Sequence, residues 1–425
     1  MSATDLLREW KKRNPQIENI VLFVSDALRW DYTPKSVSSR GVTFKAVASG
    51  IKTPISFPSI MTGLHPQHHE VYSFYEDRLP KNVSSLLNVN GFNISLWTEN
   101  TWIGYDPPSS SPLYSFLRHR NRVSLKEIEP PFIYLEDEKG GHCPYGWSAT
   151  NKEYEEWDCA SFFRDFGKRE ESVLRGKYEE GVQRSAQEFE RRLRVIDERG
   201  LADKTLVVFL ADHGELLGEH GGIVGHENIT APEVVYVPIV FIHPDLPEGK
   251  NFEGEGVLRH VDLYPTICDI LDVRVTTKVD GVSLLDMKKL PSFGFTYFVE
   301  KVKMNRFACE LEETSVWDKD GGYVFRKGDN FMFLLLRAIY LTALSNNSLV
   351  AIYQRQRLRR FPKTLKNYGN LLKNFCRPFA KYGSPALSIE QAKFATKELC
   401  QQTSETAEKE RIKRIVRRLR NEGKI

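Results

Sequence analysis

Five short apolar runs, separated by longer polar segments, place the strongest constraint on the fold of this chain. Each run is six to eight residues long and rich in Val, Ile, Leu or Phe. Apolar runs of this length without polar alternation predict strands that are buried on both faces, as in a mostly parallel sheet. The runs occupy residues 19–26, 92–97, 131–137, 205–212 and 237–244.

Amphipathic helices are predicted between these strands. Residues 178–200 and 259–273 carry apolar side chains at helical spacing, which puts those side chains on one face of each helix. Alternation of strands and helices favours an α/β fold in which helices cover both faces of a sheet. With 425 residues, the chain is long enough for such a catalytic domain, and we assign residues 1–300 to it.

A different composition marks residues 301–425, which we predict to form a helical, basic C-terminal region. Residues 331–353 are apolar apart from Arg337 and an Asn-Asn-Ser interruption, so they suit either a buried helical hairpin or a membrane span. From Gln354 onward there are 19 Lys and Arg against 6 Asp and Glu, although the whole chain carries only +4. The last part, residues 409–420, predicts a basic amphipathic helix that could contact an anionic membrane.

The cysteines and the N-terminal residues indicate in which cellular compartment the protein is expected. The six cysteines are scattered and form no C-x-x-C pair, a pattern typical of a reducing compartment. The first sixteen residues are polar and charged, so we predict no secretory signal. We therefore expect a cytoplasmic protein, and the basic tail adds the inner face of the membrane as an expected place of contact. No nucleic-acid partner is expected.

Acidic and imidazole side chains follow several of the predicted strands. Ligands of an open α/β sheet bind at the carboxyl ends of its strands, so these side chains are expected to lie together. Carboxylates combined with imidazole suit a divalent cation such as Mg²⁺, Mn²⁺, Ca²⁺ or Zn²⁺. The side chains at or beyond the strand ends are Asp26, Asp137, His142, Asp212, His213 and His226.

The segment T-P-I-S-F-P-S-I-M-T-G, residues 53–63, holds several hydroxyls close to a predicted helix start. Ser and Thr at such positions are common helix caps, and this is the role we expect for Ser56 and Ser59. A divalent cation would change the chemistry of a hydroxyl bound to it, because the metal acidifies the hydroxyl and makes it a nucleophile. One threonine of this segment could therefore attack an ester.

Several motifs, taken in order, resemble the sulfatase branch of the alkaline phosphatase superfamily. The resemblance spans residues 18–275 and implies a three-layer α/β sandwich with a mostly parallel, alkaline phosphatase-like central sheet. It also implies an enzyme that hydrolyses or transfers phosphoric or sulfuric esters with the help of a divalent cation. The motifs that carry it are SDALRWDY, TPISFPSIMTGLHPQHH, HCPY, ADHGELLGEHG, GHE and VDLYPT.

The family's nucleophile lies nine positions before the threonine of the T-G pair, and counting back from Thr62 gives Thr53. The family pattern there is C/S-x-P-x-R, but this chain has T-P-I-S-F, and threonine cannot become formylglycine. A family lysine is also missing, since Glu99 and Asn100 stand near its place. The resemblance therefore points to phosphate more than sulfate esters, as in relatives with a Thr nucleophile: phosphodiesterases, nucleotide pyrophosphatases, and phosphoglycerol and phosphoethanolamine transferases.

The resemblance assigns one divalent cation to four residues, which are Asp26, Thr53, Asp212 and His213. Thr53 would also be the nucleophile, so the transferred group would pass through a covalent intermediate on its hydroxyl. The expected substrate is an anionic ester, and the basic tail adds a lipid or a polymer as its expected carrier.

Residues around this cation receive substrate roles from the same resemblance. His142 and His226 match positions that contact the ester oxygens or the leaving group, and imidazole suits acid–base chemistry near neutral pH. Arg29 and Asn100 are candidate substrate contacts, although Arg29 could instead pair with an acid. The alternative is a second metal bound by Asp137 and His142, as in nucleotide pyrophosphatases and phosphodiesterases.

Two further alternatives stay open at this point. A sulfuric ester hydrolase would share the metal site but use another nucleophile chemistry. A non-catalytic member of the family would only bind a membrane or a polymer through its basic tail, and this would require a metal site that no longer functions.

Overall fold

A computed structural model of the chain describes most of residues 1–327 and a short stretch near the C-terminus. Asn100, the apolar segment 331–353 and the closing segment 409–420 lie outside the described residues, so what the sequence predicts for them stays a prediction. The described residues are 1–74, 77–98, 111–142, 145, 147–148, 153–154, 170–222, 224–226, 229–304, 307–327 and 378–399.

The five strands predicted from the sequence are all present, and their ends differ from the prediction by at most two residues. They are Asn19–Ser25, Asn93–Thr98, Phe132–Glu138, Thr205–Leu210 and Tyr236–Ile242. In chain order the strands are β1 (Asn19–Ser25), β2 (Val42–Val47), β3 (Asn93–Thr98), β4 (Phe132–Glu138), β5 (Trp147–Ser148), β6 (Glu153–Tyr154), β7 (Thr205–Leu210), β8 (Leu216–Leu217), β9 (Val224–Gly225), β10 (Tyr236–Ile242), β11 (Lys250–Asn251), β12 (Leu258–Arg259), β13 (Gly294–Met304), β14 (Phe307–Trp317), β15 (Gly321–Lys327) and β16 (Phe379–Gly383).

Both predicted helices are also present, at Glu170–Glu198 and at Leu263–Ile270, the second preceded by a 3₁₀ turn at His260–Asp262. No helix among the described residues is both long and apolar enough to span a membrane. Residues 389–399 are helical as well. The helices are α1 (Ala3–Arg13), α2 (Lys35–Ser38), α3 (Thr53–Thr62), α4 (Pro66–His69), α5 (Pro112–Phe116), α6 (Glu170–Glu198), α7 (Glu219–Gly222), α8 (Pro232–Val235) and α9 (Leu263–Ile270), with the 3₁₀ turn at His260–Asp262.

The central sheet has the strand order β11-β2-β10-β7-β1-β4-β3, with β12 beside β2. Strands β7, β1, β4 and β3 run parallel to one another. Strand β10 is antiparallel to both of its neighbours, β7 and β2. The sheet is therefore mostly parallel, as predicted, and the ends of β1, β4 and β7 meet at one edge.

Both faces of this sheet are covered, which confirms the layered α/β architecture. All seven residues of β1 and all seven of β4 are buried. On one face, the ring of Phe189 in α6 packs edge-on against Phe23 and Phe209, at centroid distances of 5.3 and 5.0 Å. Burial on both faces explains why these strands read as continuous apolar runs.

A second sheet is antiparallel and has the order β13-β14-β15-β16. It packs against the body through Trp317, whose ring lies 5.7 Å from that of Tyr236 in β10. Inside the second sheet, Arg326 and Glu313 form a buried ion pair at 2.6 Å. The sequence pattern does not predict this sheet, and the limit drawn after residue 300 falls within β13.

Tight turns bring the loop after β4 against the end of β1. Ala27, which directly follows Asp26 in the chain, has a φ of 60°. Gly140 in the loop after β4 has a φ of 49°. A Cβ at Gly140 would lie 2.6 Å from the carbonyl oxygen of Asp26 and from Ser25 Oγ. The N–H of Gly141 donates to the same Asp26 carbonyl at 3.2 Å. Only a residue without a side chain permits this approach, which seats the loop beside Asp26.

Candidate active site

Four residues singled out in the sequence lie together at the carboxyl edge of the central sheet, and we call them the central cluster. Asp26 follows β1, Asp212 and His213 follow β7, and Thr53 is the first residue of α3. Nε2 of His213 lies 3.6 Å from Asp26 Oδ1 and 3.4 Å from Asp212 Oδ2. Oγ1 of Thr53 lies 3.3 Å from the same nitrogen. All four side chains are buried.

The ring of His213 presents an unprotonated nitrogen to this cluster. Its Nδ1 lies 2.9 Å from the carbonyl oxygen of Gly214, and because a carbonyl only accepts, Nδ1 carries the proton. Burial lowers the pKa of His213, which favours the neutral ring. Nε2 therefore offers a lone pair toward Asp26, Asp212 and Thr53, in the way that metal-binding histidines do.

The two oxygens of the Asp212 carboxylate differ in their hydrogen bonding within the described residues. Its Oδ1 accepts the backbone N–H groups of Ala27 at 3.3 Å and His213 at 2.9 Å. Its Oδ2 is buried and has no hydrogen-bond partner in the part of the chain that the structure describes. A buried acceptor that faces another carboxylate and a bare imidazole nitrogen calls for a positive charge between them.

Such a donor set fits a divalent cation. The ligand atoms of Asp26, Asp212 and His213 lie within 4.8 Å of one another, and these residues form the one group of three or more potential ligands among the described residues. Two carboxylate oxygens and one imidazole nitrogen are donors that Mg²⁺, Mn²⁺, Ca²⁺ or Zn²⁺ accept. The residues present therefore fit the metal that the sequence leads us to expect.

The two serines of α3 have structural partners. Ser56 Oγ donates to the carbonyl of Gly50 at 3.0 Å and accepts its N–H at 3.1 Å. Nδ1 of His69 accepts the N–H of Val71 at 3.1 Å, so in the neutral ring the proton sits on Nε2, which donates to Ser59 Oγ at 3.1 Å. An imidazole that donates to a hydroxyl cannot take the proton of that hydroxyl, so His69 does not activate Ser59.

Three imidazole rings lie next to one another at the edge of the central cluster. The ring of His226 lies 4.1 Å from that of His213 and 5.0 Å from that of His142, measured between centroids. The rings of His142 and His213 are 6.4 Å apart. The structure thus brings together both histidines that the sequence assigns to the ester oxygens or the leaving group.

Glu215 is a residue of this site that the sequence pattern does not single out. Its side chain is fully buried, and its Oε2 lies 2.8 Å from Nδ1 of His226. Its place in the D-H-G-E run, two residues after His213, is the signal that could have found it, because buried acids close to metal ligands often orient them.

Arg29 is engaged in ion pairs. Its guanidinium makes two hydrogen bonds to Asp31, at 2.9 and 2.7 Å, and a third to Glu219 at 2.8 Å. Burial raises the pKa of Glu219, but the charge of Arg29 outweighs that effect and holds the pKa at about 2. Of the two roles considered for Arg29, pairing with an acid is the one that the structure displays.

Asp137 belongs to the alternative second metal site. Its Oδ2 accepts a hydrogen bond from the hydroxyl of Thr98 at 2.9 Å, and its side chain is buried. No group of three or more potential ligands within the described residues includes Asp137 or His142. The geometry therefore adds nothing in favour of two metals.

Comparison with known proteins relates this chain to a family. The family model described as Sulfatase matches residues 139–273. The protein named low-salt glycan biosynthesis sulfotransferase Agl7, from Haloferax volcanii, is 34% identical over 318 residues, which are 72% of this chain and 74% of the relative. Arylsulfatase K of Bos taurus is 34% identical over 86 residues, which are 20% of this chain and 15% of that protein.

Solved structures share the fold. A 2-O GAG sulfatase aligns with a TM-score of 0.54 and 16% identity, over 73% of this chain and 82% of that chain. A phosphonate monoester hydrolase of Agrobacterium radiobacter aligns with a TM-score of 0.53 and 17% identity, over 83% of this chain and 96% of that chain. At these identities the likeness concerns the fold alone.

The similarity in sequence indicates the family and not only the fold. Identity to the Haloferax volcanii protein extends over most of both chains, and the Sulfatase match begins next to His142 and includes the D-H-G-E run. The mostly parallel sheet and its edge of acids and histidines agree with both. The chain therefore belongs to the sulfatase family and is a sulfatase-like ester hydrolase or transferase.

Proposed function

We propose that this chain is a metal-dependent enzyme that moves the phosphate or sulfate group of an anionic ester through Thr53. The observation that supports this most directly is the central cluster, in which Thr53 Oγ1 lies 3.3 Å from the bare Nε2 of His213. Two buried carboxylates lie beside that nitrogen. We propose one cation rather than two, because one group of three potential ligands is found among the described residues.

The metal would be held by Asp26, Asp212 and His213, and Thr53 would complete the set. Bound there, a divalent cation supplies Lewis acidity, which lowers the pKa of a neighbouring hydroxyl and attracts the negative charge of ester oxygens. The protein contributes the fixed geometry, since Asp212 is held by two backbone N–H groups and His213 by Gly214. Preorganised groups of this kind need little rearrangement during the reaction.

The proposed reaction has two displacement steps. In the first, Thr53 Oγ1 loses its proton to solvent and bonds to phosphorus or sulfur, while the bond from that atom to the ester oxygen breaks. The departing oxygen takes a proton from His226 or His142, whose ring carries a proton on both nitrogens before this step and is neutral after it. In the second, water or an acceptor alcohol attacks the same phosphorus or sulfur and gives its proton to the neutral ring, while Oγ1 is released and takes a proton from solvent.

The transferred group has two candidates. Threonine in place of the family's Cys or Ser favours phosphate, as expected from the sequence. The name of the Haloferax volcanii relative, a sulfotransferase of glycan biosynthesis, favours sulfate as the group and a sugar hydroxyl as the acceptor. Sulfate transfer is therefore our second candidate, and an assay has to offer both ester types with and without an acceptor.

The experiment that tests the proposal combines substrates, cations and one substitution. Aryl phosphates and aryl sulfates are offered with Mg²⁺, Mn²⁺, Ca²⁺ or Zn²⁺, and intact mass is followed for a covalent adduct. Thr53→Ala should lower turnover by about 1,000-fold or more and abolish the adduct, because the covalent step is lost. Ser59→Ala is the matched control, with a stability loss of about 1 kcal/mol and unchanged turnover.

Two outcomes contradict this proposal. If Thr53→Ala keeps wild-type turnover, another group is the nucleophile. If the wild-type enzyme turns over its best ester equally well after chelation of all divalent cations, the central cluster does not act through a metal.

We also propose that the substrate is carried by a lipid or a polymer and that the chain contacts membranes. Support comes from the excess of 13 positive charges in residues 354–425, since each Lys or Arg near an anionic leaflet contributes on the order of 1 kcal/mol. The chain should sediment with phosphatidylserine vesicles at low salt and less so at high salt. Equal recovery in the supernatant with neutral and anionic vesicles would remove the membrane proposal.

A further inference from the structure

A buried carboxylate connects the two loops that carry the histidines beside the central cluster. Oε2 of Glu215 lies 2.8 Å from Nδ1 of His226, and Oε1 accepts the hydroxyl hydrogen of Tyr145 at 2.8 Å. Glu215 is fully buried, and Tyr145 is 1% exposed. Neither hydrogen bond includes Asp26, Asp212 or His213, so metal binding alone does not explain the two hydrogen bonds of Glu215.

The bond to Glu215 decides which nitrogen of His226 is available. An ionised carboxylate only accepts hydrogen bonds, so Nδ1 of His226 is the donor. In the neutral ring, Nε2 on the other edge therefore carries no proton. The ring is also fixed between its neighbours, since its centroid lies 4.1 Å from that of His213 and 5.0 Å from that of His142.

The bond to Tyr145 acts on the other histidine through the backbone. The N–H of Tyr145 donates to the carbonyl of His142 at 3.0 Å, so the backbones of these two residues are joined directly. Tyr145 has a φ of 60°, a left-handed conformation that is unfavourable for an aromatic residue. Its buried hydroxyl bond to Glu215 offsets part of this strain and fixes Tyr145 relative to His142.

We propose that Glu215 is a positioning residue that holds His226 directly, and His142 through Tyr145, in the orientation in which they meet the ester. This inference rests on the proposed function for the identity of the reaction, but the hydrogen-bonded arrangement itself does not. Partners of this kind around a site change activity by about 10–100-fold when they are replaced. Glu215 acts through the histidines and does not touch the substrate.

A series of combined substitutions tests this dependence. Glu215→Gln retains one acceptor oxygen, whereas His226 and Tyr145 each need an acceptor of their own. We therefore expect kcat to fall by about 10–100-fold and KM to change by less than about 3-fold. If Glu215 acts only through the two histidines, Glu215→Gln should change kcat by less than about 2-fold in a background that already carries His142→Ala and His226→Ala. A loss in that background as large as in the wild type would overturn the proposal.

A matched control separates positioning from general support of the fold. Tyr145→Phe removes the bond to Glu215 and should lower kcat. Tyr134→Phe also removes a buried bond from a tyrosine hydroxyl to a carboxylate, that of Glu136 at 2.9 Å, but lies outside the site and should leave kcat unchanged. Equal effects of the two substitutions on kcat would overturn the proposal.

A measurement without substrate keeps the inference apart from the proposed reaction. In the full chain loaded with Mg²⁺ and labelled with ¹⁵N-histidine, the signals of His226 are identified by their absence in His226→Ala. We expect the ring proton on Nδ1, and a proton on Nε2 with Nδ1 bare would refute the role of Glu215. If the proton is on Nδ1 and no ester is turned over, the arrangement stands and the proposed function fails.

Discussion

Asp212→Asn should separate metal binding from folding. The substitution keeps an acceptor for the two backbone N–H groups that Oδ1 binds, and it replaces the partnerless Oδ2 by an NH₂ group. That group would take the place of Oδ2, which lies 3.4 Å from the bare Nε2 of His213. Because Nε2 can accept an N–H, the variant places a donor where the wild type has two facing acceptors.

The difference in unfolding free energy between Asp212→Asn and the wild type should favour the variant without metal and be largely cancelled with metal. The ligand atoms of Asp26 and Asp212 lie within 4.8 Å of each other, and two charges at that distance repel by about 3 kcal/mol at an effective dielectric constant of about 20. Without metal, the variant should be more stable by up to that amount. At a cation concentration of about 100 times Kd, the wild type should gain about 2.7 kcal/mol, or roughly 3 °C in Tm for a chain of this size. The variant should gain almost nothing.

Thermal unfolding after chelation, and again after addition of each cation in turn, measures both quantities. Asp262→Asn is the matched control, because Asp262 is equally buried but pairs with Arg259 at 2.6 Å. It should be less stable in both conditions and keep its gain on metal addition. Equal gains in the wild type and in Asp212→Asn would refute the reasoning, and so would a metal-free Asp212→Asn that is less stable than the wild type.

Three further predictions concern the support of the site and of the second sheet. Gly140→Ala should cost about 1–3 kcal/mol in urea unfolding, because its Cβ would lie 2.6 Å from the carbonyl oxygen of Asp26; an unchanged urea midpoint would speak against this close approach. Burial lowers the pKa of His69 to about 3, so the unfolded chain binds a proton at this ring at a higher pH than the folded protein does. The unfolding free energy of the chelated protein should therefore fall as the pH drops from about 6.5 toward 3, and urea midpoints that stay level over that range would contradict it. Arg326→Leu leaves the carboxylate of Glu313 buried without its cation and should cost about 3–5 kcal/mol in urea unfolding, with kcat of the folded enzyme unchanged; a loss below about 1 kcal/mol would show that the pair is solvated.

The central cluster could be predicted because buried parallel strands leave a strong pattern. β1 and β7 read as continuous apolar runs, and Asp26 and Asp212 stand directly beyond the apolar residues. Since parallel strands share one carboxyl edge, the sequence alone predicts that these acids meet there. Thr53 required more than periodicity, namely the count within a family motif, and the structure places it as the first residue of α3.

What the sequence could not predict depends on contacts between distant residues. The acids and bases of the second sheet do not read as a buried strand, because Glu313 and Arg326 are tolerated inside only through their mutual ion pair. Arg29 reads as a candidate substrate contact until its partner Glu219, 190 residues away in the chain, is seen. Glu215 is likewise one acid among many until its bond to His226 is known. Local patterns cannot show such pairings.

If Thr53 is the nucleophile, as proposed, its chemistry determines how a covalently bound group leaves the enzyme. Thr53 has a single hydroxyl, so a group on its Oγ1 has to be displaced by an incoming water or alcohol. Thr53 is 5% exposed, and the three potential ligands beside it are 0% exposed, which restricts the access of bulk water. If Thr53 carries the group as proposed, restricted water favours a bound acceptor alcohol, and transfer is therefore the reaction to test first.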